Sequence, residues 1–227
     1  MKKITFFFAT LSMLYLVSCS SNDAEVLPNN ENAESKLQSY TLKRNTDGTY
    51  YIDFNVAENT EINTYKNPDN SNEVVISESN GQTANKQSTN FVLENDFLKV
   101  NILESNNGKK TRIAVEDENS STFANKGITE FLNNYSVTKN TDGTFTLDFE
   151  VNNNVQTEFI YNKVEGVYEV HLKNGDAKTK NFSRVLEIND NDALKIDFVN
   201  YKNLGRSEET YTVDKPKVVI LSLSDEG

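Results

Sequence analysis

The chain has 227 residues, 36% of them hydrophobic and 25% charged, and a net charge of −11. That apolar content argues against wholesale disorder, and the length allows one large or two small domains. The acidic balance repels phosphate backbones and no basic stripe offsets it, so no nucleic acid is expected as a partner.

Residues 1–18 place Lys2 and Lys3 ahead of an apolar run, Ile4 to Val17, that is too short for a comfortable membrane span. They read as a signal peptide. The run ends in Leu16-Val17-Ser18-Cys19, and Cys19 is the only cysteine, so no intramolecular disulfide can form. This segment resembles the lipobox of bacterial lipoproteins, and the resemblance covers the N-terminal segment alone. It implies cleavage before Cys19, lipidation of that residue with two or three acyl chains, palmitate among them, and a permanent membrane anchor. The alternative is an ordinary signal peptide with a chance cysteine.

Residues 19–33 then comprise the lipidated Cys and a tether, because Ser20 to Ala33 is polar and aperiodic. Its Ser-Asn-Asp-Ala-Glu is similar to the acidic export signal of Bacteroidetes-type lipoproteins. That similarity implies the outer membrane and its cell-surface face, with the periplasmic face as the alternative.

Beyond the tether the sequence repeats itself. Tyr40–Val56, YTLKRNTDGTYYIDFNV, aligns without a gap on Tyr135–Val151, YSVTKNTDGTFTLDFEV. The identities include all of NTDGT, Asp53/Asp148, Phe54/Phe149 and Val56/Val151. Such a match indicates an internal duplication, with β repeats over 34–125 and 126–227. Within each copy Asp-Gly separates runs of period two, the pattern of a hairpin with one buried face. Tyr50, Ile52, Phe54 and Val56 are predicted inward, as are Phe145, Leu147, Phe149 and Val151.

Weaker matches continue the repeat. Asn72–Ile76 aligns with Tyr168–Leu172, Phe97–Ile102 with Ala193–Phe198, and Arg112–Glu116 with Thr210–Asp214. About four further short strands per copy follow. Glu34–Ser39 and Gly127–Asn134 could each hold one helical turn, because Leu37 and Leu132 fall out of phase with the strands after them. Lys217–Leu223, KVVILSL, looks like an extra strand that completes the second sheet or bridges the copies. The expected fold class is all-β: two tandem antiparallel β-sandwich-like or β-sheet units, favoured as separate domains over one merged sheet. Asparagine is abundant, at 33 residues, and glycine scarce, at 9. Asn can replace Gly where a turn needs positive φ, although an AT-rich genome produces the same bias.

Chemistry-bearing residues are sparse. His171 is the only histidine and is placed on a wet strand face with Glu169 and Lys173, so no transition-metal site is expected. Asn189–Asp192 clusters oxygens but lacks the Gly and Glu of a calcium loop, and reads as a turn. Glu94–Asp96 and Asp117–Asn119 read the same way. Asp53 and Asp148 occupy equivalent outward positions in different copies, which favours cross-strand partners over acid–base chemistry. No catalytic residue and no cofactor are assigned. Outward aromatics such as Tyr51, replaced by Thr146 in the second copy, are the better lead. The sequence therefore points to a lipid-anchored, non-catalytic binding or adhesion module. Its expected partners are the membrane, through Cys19, and an extracellular glycan or envelope protein. The alternatives are an accessory subunit of an outer-membrane assembly and, behind it, a carboxylate-dependent hydrolase.

Overall fold

The computed structural model describes residues 34–117, 131–189, 192–203 and 210–223. The fold is all-β. The first copy supplies β1 (Leu37–Arg44), β2 (Tyr50–Val56), β3 (Thr60–Lys66), β4 (Asn72–Glu78), β5 (Lys86–Phe91), β6 (Phe97–Glu104) and β7 (Lys110–Glu116). The second supplies β8 (Leu132–Lys139), β9 (Phe145–Val151), β10 (Val155–Asn162), β11 (Val167–Asn174), β12 (Asn181–Leu186), β13 (Leu194–Asn203) and β14 (Thr210–Leu223).

These strands form two sheets, a six-stranded one ordered β12-β9-β8-β1-β2-β5 and an eight-stranded one ordered β10-β11-β13-β14-β7-β6-β4-β3. Both orders read alike from either end once the copies are exchanged. The expected separation into two domains is corrected here, because β1 pairs with β8 and β7 with β14, so each sheet runs through both copies. One apolar cluster, from Tyr40 and Ile52 to Phe198 and Ile220, spans both halves. The period-two faces explain the layers. β2 buries alternate residues from Tyr50 to Val56, and β9 does so from Phe145 to Val151.

The pseudo-two-fold relation is visible in the register. Leu42 faces its own counterpart, Val137, across β1 and β8. In the other sheet Ala114 faces Val219. These two are also counterparts, since Ala114 pairs with Lys99 and Val219 with the equivalent Lys195. Lys217–Leu221 therefore corresponds to Arg112–Glu116, which corrects the alignment with Thr210–Asp214. The hairpin of β13 and β14 is simply longer, and Thr210–Asp214 pairs with the extension of β13 over Val199–Asn203. KVVILSL is the ordinary last strand of its copy, and it also joins the halves.

Two further expectations change. The phase breaks at Leu37 and Leu132 are β-bulges, between Leu37 and Ser39 and between Leu132 and Asn134. An extra residue shifts the alternation by one without needing a helical turn. One strand pair per copy is parallel, β4 with β6 and β11 with β13. The intervening strand, β5 or β12, crosses to the other sheet, and a parallel neighbour requires such a crossover.

Candidate functional site

The repeated NTDGT is a closed structural unit. Asp47 Oδ1 accepts from Thr49 N at 2.9 Å and Thr49 Oγ1 at 2.6 Å, and Asp142 does the same for Thr144 at 3.0 and 2.6 Å. Those hydrogen bonds hold both carboxyls below the usual range. Gly48 and Gly143 close the turns onto Asn45 and Asn140 at φ +80° and +88°. A third example, missed in the sequence, is Asn67-Pro68-Asp69-Asn70-Ser71. Asp69 accepts from Ser71 N and Oγ, and Asn70 takes the glycine position at φ +65°. Asn59, Asn95 and Asn154 also have positive φ, so part of the asparagine excess does replace glycine.

Asp53 is held by Lys43 and by Ser88 Oγ at 2.6 Å. Asp148 lies three strand spacings away in the order β9-β8-β1-β2, at least about 14 Å, so the two carboxyls do not form a glycosidase-like pair. Asn189 and Asp192 bond each other across a turn, Nδ2 to Oδ2 at 2.9 Å. Glu94 pairs with Lys66, and Asn95 and Asp96 make a two-residue turn with φ of 50° and 68°. Among the described residues no three His, Cys, Asp or Glu side chains converge to hold a metal. Cys19, Glu118, Asn119, Asp190 and Asn191 lie outside the described residues.

Asp117 is not part of an exposed turn. It is buried and accepts from Arg44 Nε at 2.6 Å and Tyr50 Oη at 2.7 Å, and Tyr50 Oη lies 3.2 Å from Tyr135 Oη. His171 is likewise not fully solvated. Its Nε2–H donates to Glu169 at 2.7 Å, and Nδ1 lies 2.9 Å from Tyr201 Oη, with the rings stacked. Tyr201 reaches it through the parallel pairing of β11 with β13, a non-local neighbour that spacing along the chain does not show.

Exposed aromatics occur in both copies, Tyr65 and Phe97 in the first and Tyr161 in the second, and Tyr161 belongs to a ring cluster. On β10 and β11, Phe159, Tyr161 and Tyr168 share the face turned toward the other sheet. Phe159 and Tyr168 are half-buried against the core, and Tyr161 is exposed. Tyr161 and Tyr168 are cross-strand partners with ring centroids 4.6 Å apart, and Tyr168 stacks on Phe159 at 5.7 Å. Tyr168 Oη donates to the Glu187 carbonyl at 2.7 Å, which fixes its ring. Burial pushes the Tyr168 phenol up, so it remains a donor. A cleft of about 720 Å³ opens over Tyr161 and Tyr168. Its rim carries Lys163, Glu165, Glu187, Asn189, Asp192 and Lys195. Tyr161 is 47% exposed, and the rim turn is shaped by Asn162 Oδ1, which accepts from Val164 N and Glu165 N.

The duplication supplies an internal control. Thr64, Lys66 and Asn72 occupy the positions of Phe159, Tyr161 and Tyr168 in the first copy, as the equivalent registers of β3 with β4 and β10 with β11 show. Tyr51, the aromatic singled out in the sequence, sits half-exposed on the six-stranded sheet and takes no part in this cleft. An aromatic-rimmed cleft with charged and amide groups around it can stack a flat ring face and hydrogen-bond its edge. No family model, no curated protein and no solved structure matches this chain.

Proposed function

We propose that the chain is a lipid-anchored, non-catalytic binding module of the cell envelope, and that the cleft over Tyr161 and Tyr168 binds a glycan. One observation carries this reading. The Phe159–Tyr168–Tyr161 ladder is present in one copy and replaced by Thr64, Asn72 and Lys66 in the other, on the same backbone. The first copy builds the equivalent strand pair without the ladder, and Tyr161 is the ladder's most exposed ring. Lys2, Lys3, the apolar run and Cys19 support the lipid anchor, and the acidic stretch Ser21–Glu25 supports the outer membrane.

The test is a screen of the full-length chain, in detergent, against extracellular polysaccharides, followed by titration of any binder. Tyr161→Ala is expected to weaken binding about tenfold at unchanged melting temperature, the size of one lost stacking contact. Tyr65→Ala, on an exposed residue of the first copy, should leave binding alone. Equal affinity of Tyr161→Ala and the parent, or no retained polysaccharide, would reject the glycan site.

A further inference from the structure

The pseudo-two-fold relation exposes a gap in the polar interior. In one half, Arg44 on β1 and Tyr135 on β8 are cross-strand partners beneath the Asp117 carboxylate, which neutralises the cation and accepts from Tyr50. The register places Lys139, Tyr40, Phe145 and Ser222 at the corresponding positions of the other half. Lys139 and Tyr40 are again cross-strand partners on the inner face. Here the carboxylate is missing. Ser222 stands where Asp117 would be, and Lys139 Nζ donates to its Oγ at 3.1 Å.

The shorter residues leave a pocket of about 390 Å³ against Tyr40, Thr111, Lys139 and Ser222, with Lys109 and Lys110 at its rim. Tyr40 is 1% exposed, yet its hydroxyl has no hydrogen-bond partner among the described residues. A buried donor left unmade costs free energy, so its retention needs a reason. Replacement of Tyr50 by Phe145 explains how the protein partner was lost, and does not explain why Tyr40 kept its hydroxyl. One acid, Glu104, lines the pocket, but it is occupied by Ser35 Oγ at 2.8 Å and the Lys36 and Leu37 amides at 2.8 and 3.2 Å.

We propose that this pocket binds a carboxylate, which takes the place that Asp117 fills in the other half and accepts from Tyr40 Oη and Lys139 Nζ. Lys109 and Lys139 flank one occupied acid in this pocket, within a protein that is acidic as a whole. Burial pushes the Lys139 ammonium down from the usual lysine range and Lys109 adds to this, whereas Glu104 opposes it. An arriving carboxylate would relieve that burden. Burial also pushes the Tyr40 phenol up, which keeps it a donor.

Succinate is the probe, titrated into the full-length chain in detergent and followed by amide spectra, with uncharged succinamide as control. Saturable shifts at Tyr40, Thr111, Lys139 and Ser222, absent with succinamide, are expected. Tyr40→Phe and Lys139→Met should each weaken binding about tenfold, as loss of one charge-assisted hydrogen bond does. Tyr40→Phe removes an unpaired group, so it should fold at least as well as the parent. Ser222→Asp rebuilds the carboxylate of the first copy and should abolish binding. Absence of saturation, equal shifts with succinamide, or binding retained in Ser222→Asp would overturn the proposal. A D225N/E226Q variant separates the sources of the group. Tighter succinate binding in that variant assigns the site to the side chains of Asp225 and Glu226, and unchanged binding assigns it to a free carboxylate.

Discussion

Arg44 Nε lies 2.6 Å from Asp117 Oδ2 with both side chains buried, whereas their counterparts Lys139 and Ser222 make a single 3.1 Å bond between partly exposed groups. Two halves with one backbone plan thus carry an ion pair in one place and a neutral acceptor in the other. The ion pair, shared with Tyr50, ties β1 to the segment that leaves β7.

Breaking that pair leaves a buried, uncompensated cation. Asp117→Ala is expected to cost about 3–5 kcal/mol in urea unfolding, as loss of one partner of a buried pair does. The double variant Arg44→Met/Asp117→Leu should recover most of that loss. A cost under about 1 kcal/mol for Asp117→Ala would mean that the pair is solvated in solution.

The two copies should melt together. They share both sheets and one core, so unfolding followed by Tyr fluorescence and by far-ultraviolet dichroism is expected to give one coincident transition. Leu42, fully buried at the pseudo-two-fold, tests the seam. Leu42→Ala should lower stability by about 2–5 kcal/mol without splitting the transition. Two resolved transitions would indicate independent halves.

The turns predict an acid limb. Asp47, Asp69 and Asp142 have folded pKa values depressed by Thr or Ser hydrogen bonds. A depressed carboxyl contributes stability that is present above its unfolded pKa, near about 4, and is lost as pH falls through the folded value. The triple variant D47N/D69N/D142N should therefore show a flatter loss of stability below that pH than the parent. An unchanged acid limb would assign it to other carboxyls.

Gly143 tests the backbone separately. A Cβ there would meet nothing within 4 Å, but φ is +88°. Gly143→Ala should cost about 1 kcal/mol from conformation alone, and Gly143→Asn less, because Asn tolerates the left-handed region. Equal costs for the two would contradict the role seen for Asn70.

Surface display is the last prediction. Protease added to intact cells should remove an epitope within 131–223 without lysis, if the acidic segment after Cys19 exports the protein outward. Protection until lysis would favour the accessory-subunit reading and a periplasmic face.

Local chemistry was legible in the residues alone. Asp-Gly and Thr at fixed offsets close a turn from their own atoms, and alternation of period two tells which face of Tyr50–Val56 is buried. The duplication followed from identity between Tyr40–Val56 and Tyr135–Val151. Tertiary structure decided what depends on neighbours. Alternation names a face but not the adjacent strand, so the merging of the copies through β1 with β8 and β7 with β14 lay beyond it. The same holds for Asp117, whose burial depends on Arg44, 73 positions away. Tyr161 and Tyr168 were visible as residues, yet their ring contact comes from the register of β10 against β11. The carboxylate missing beside Lys139 becomes apparent only when one half of the fold is superposed on the other, because it is defined by a counterpart and not by any motif.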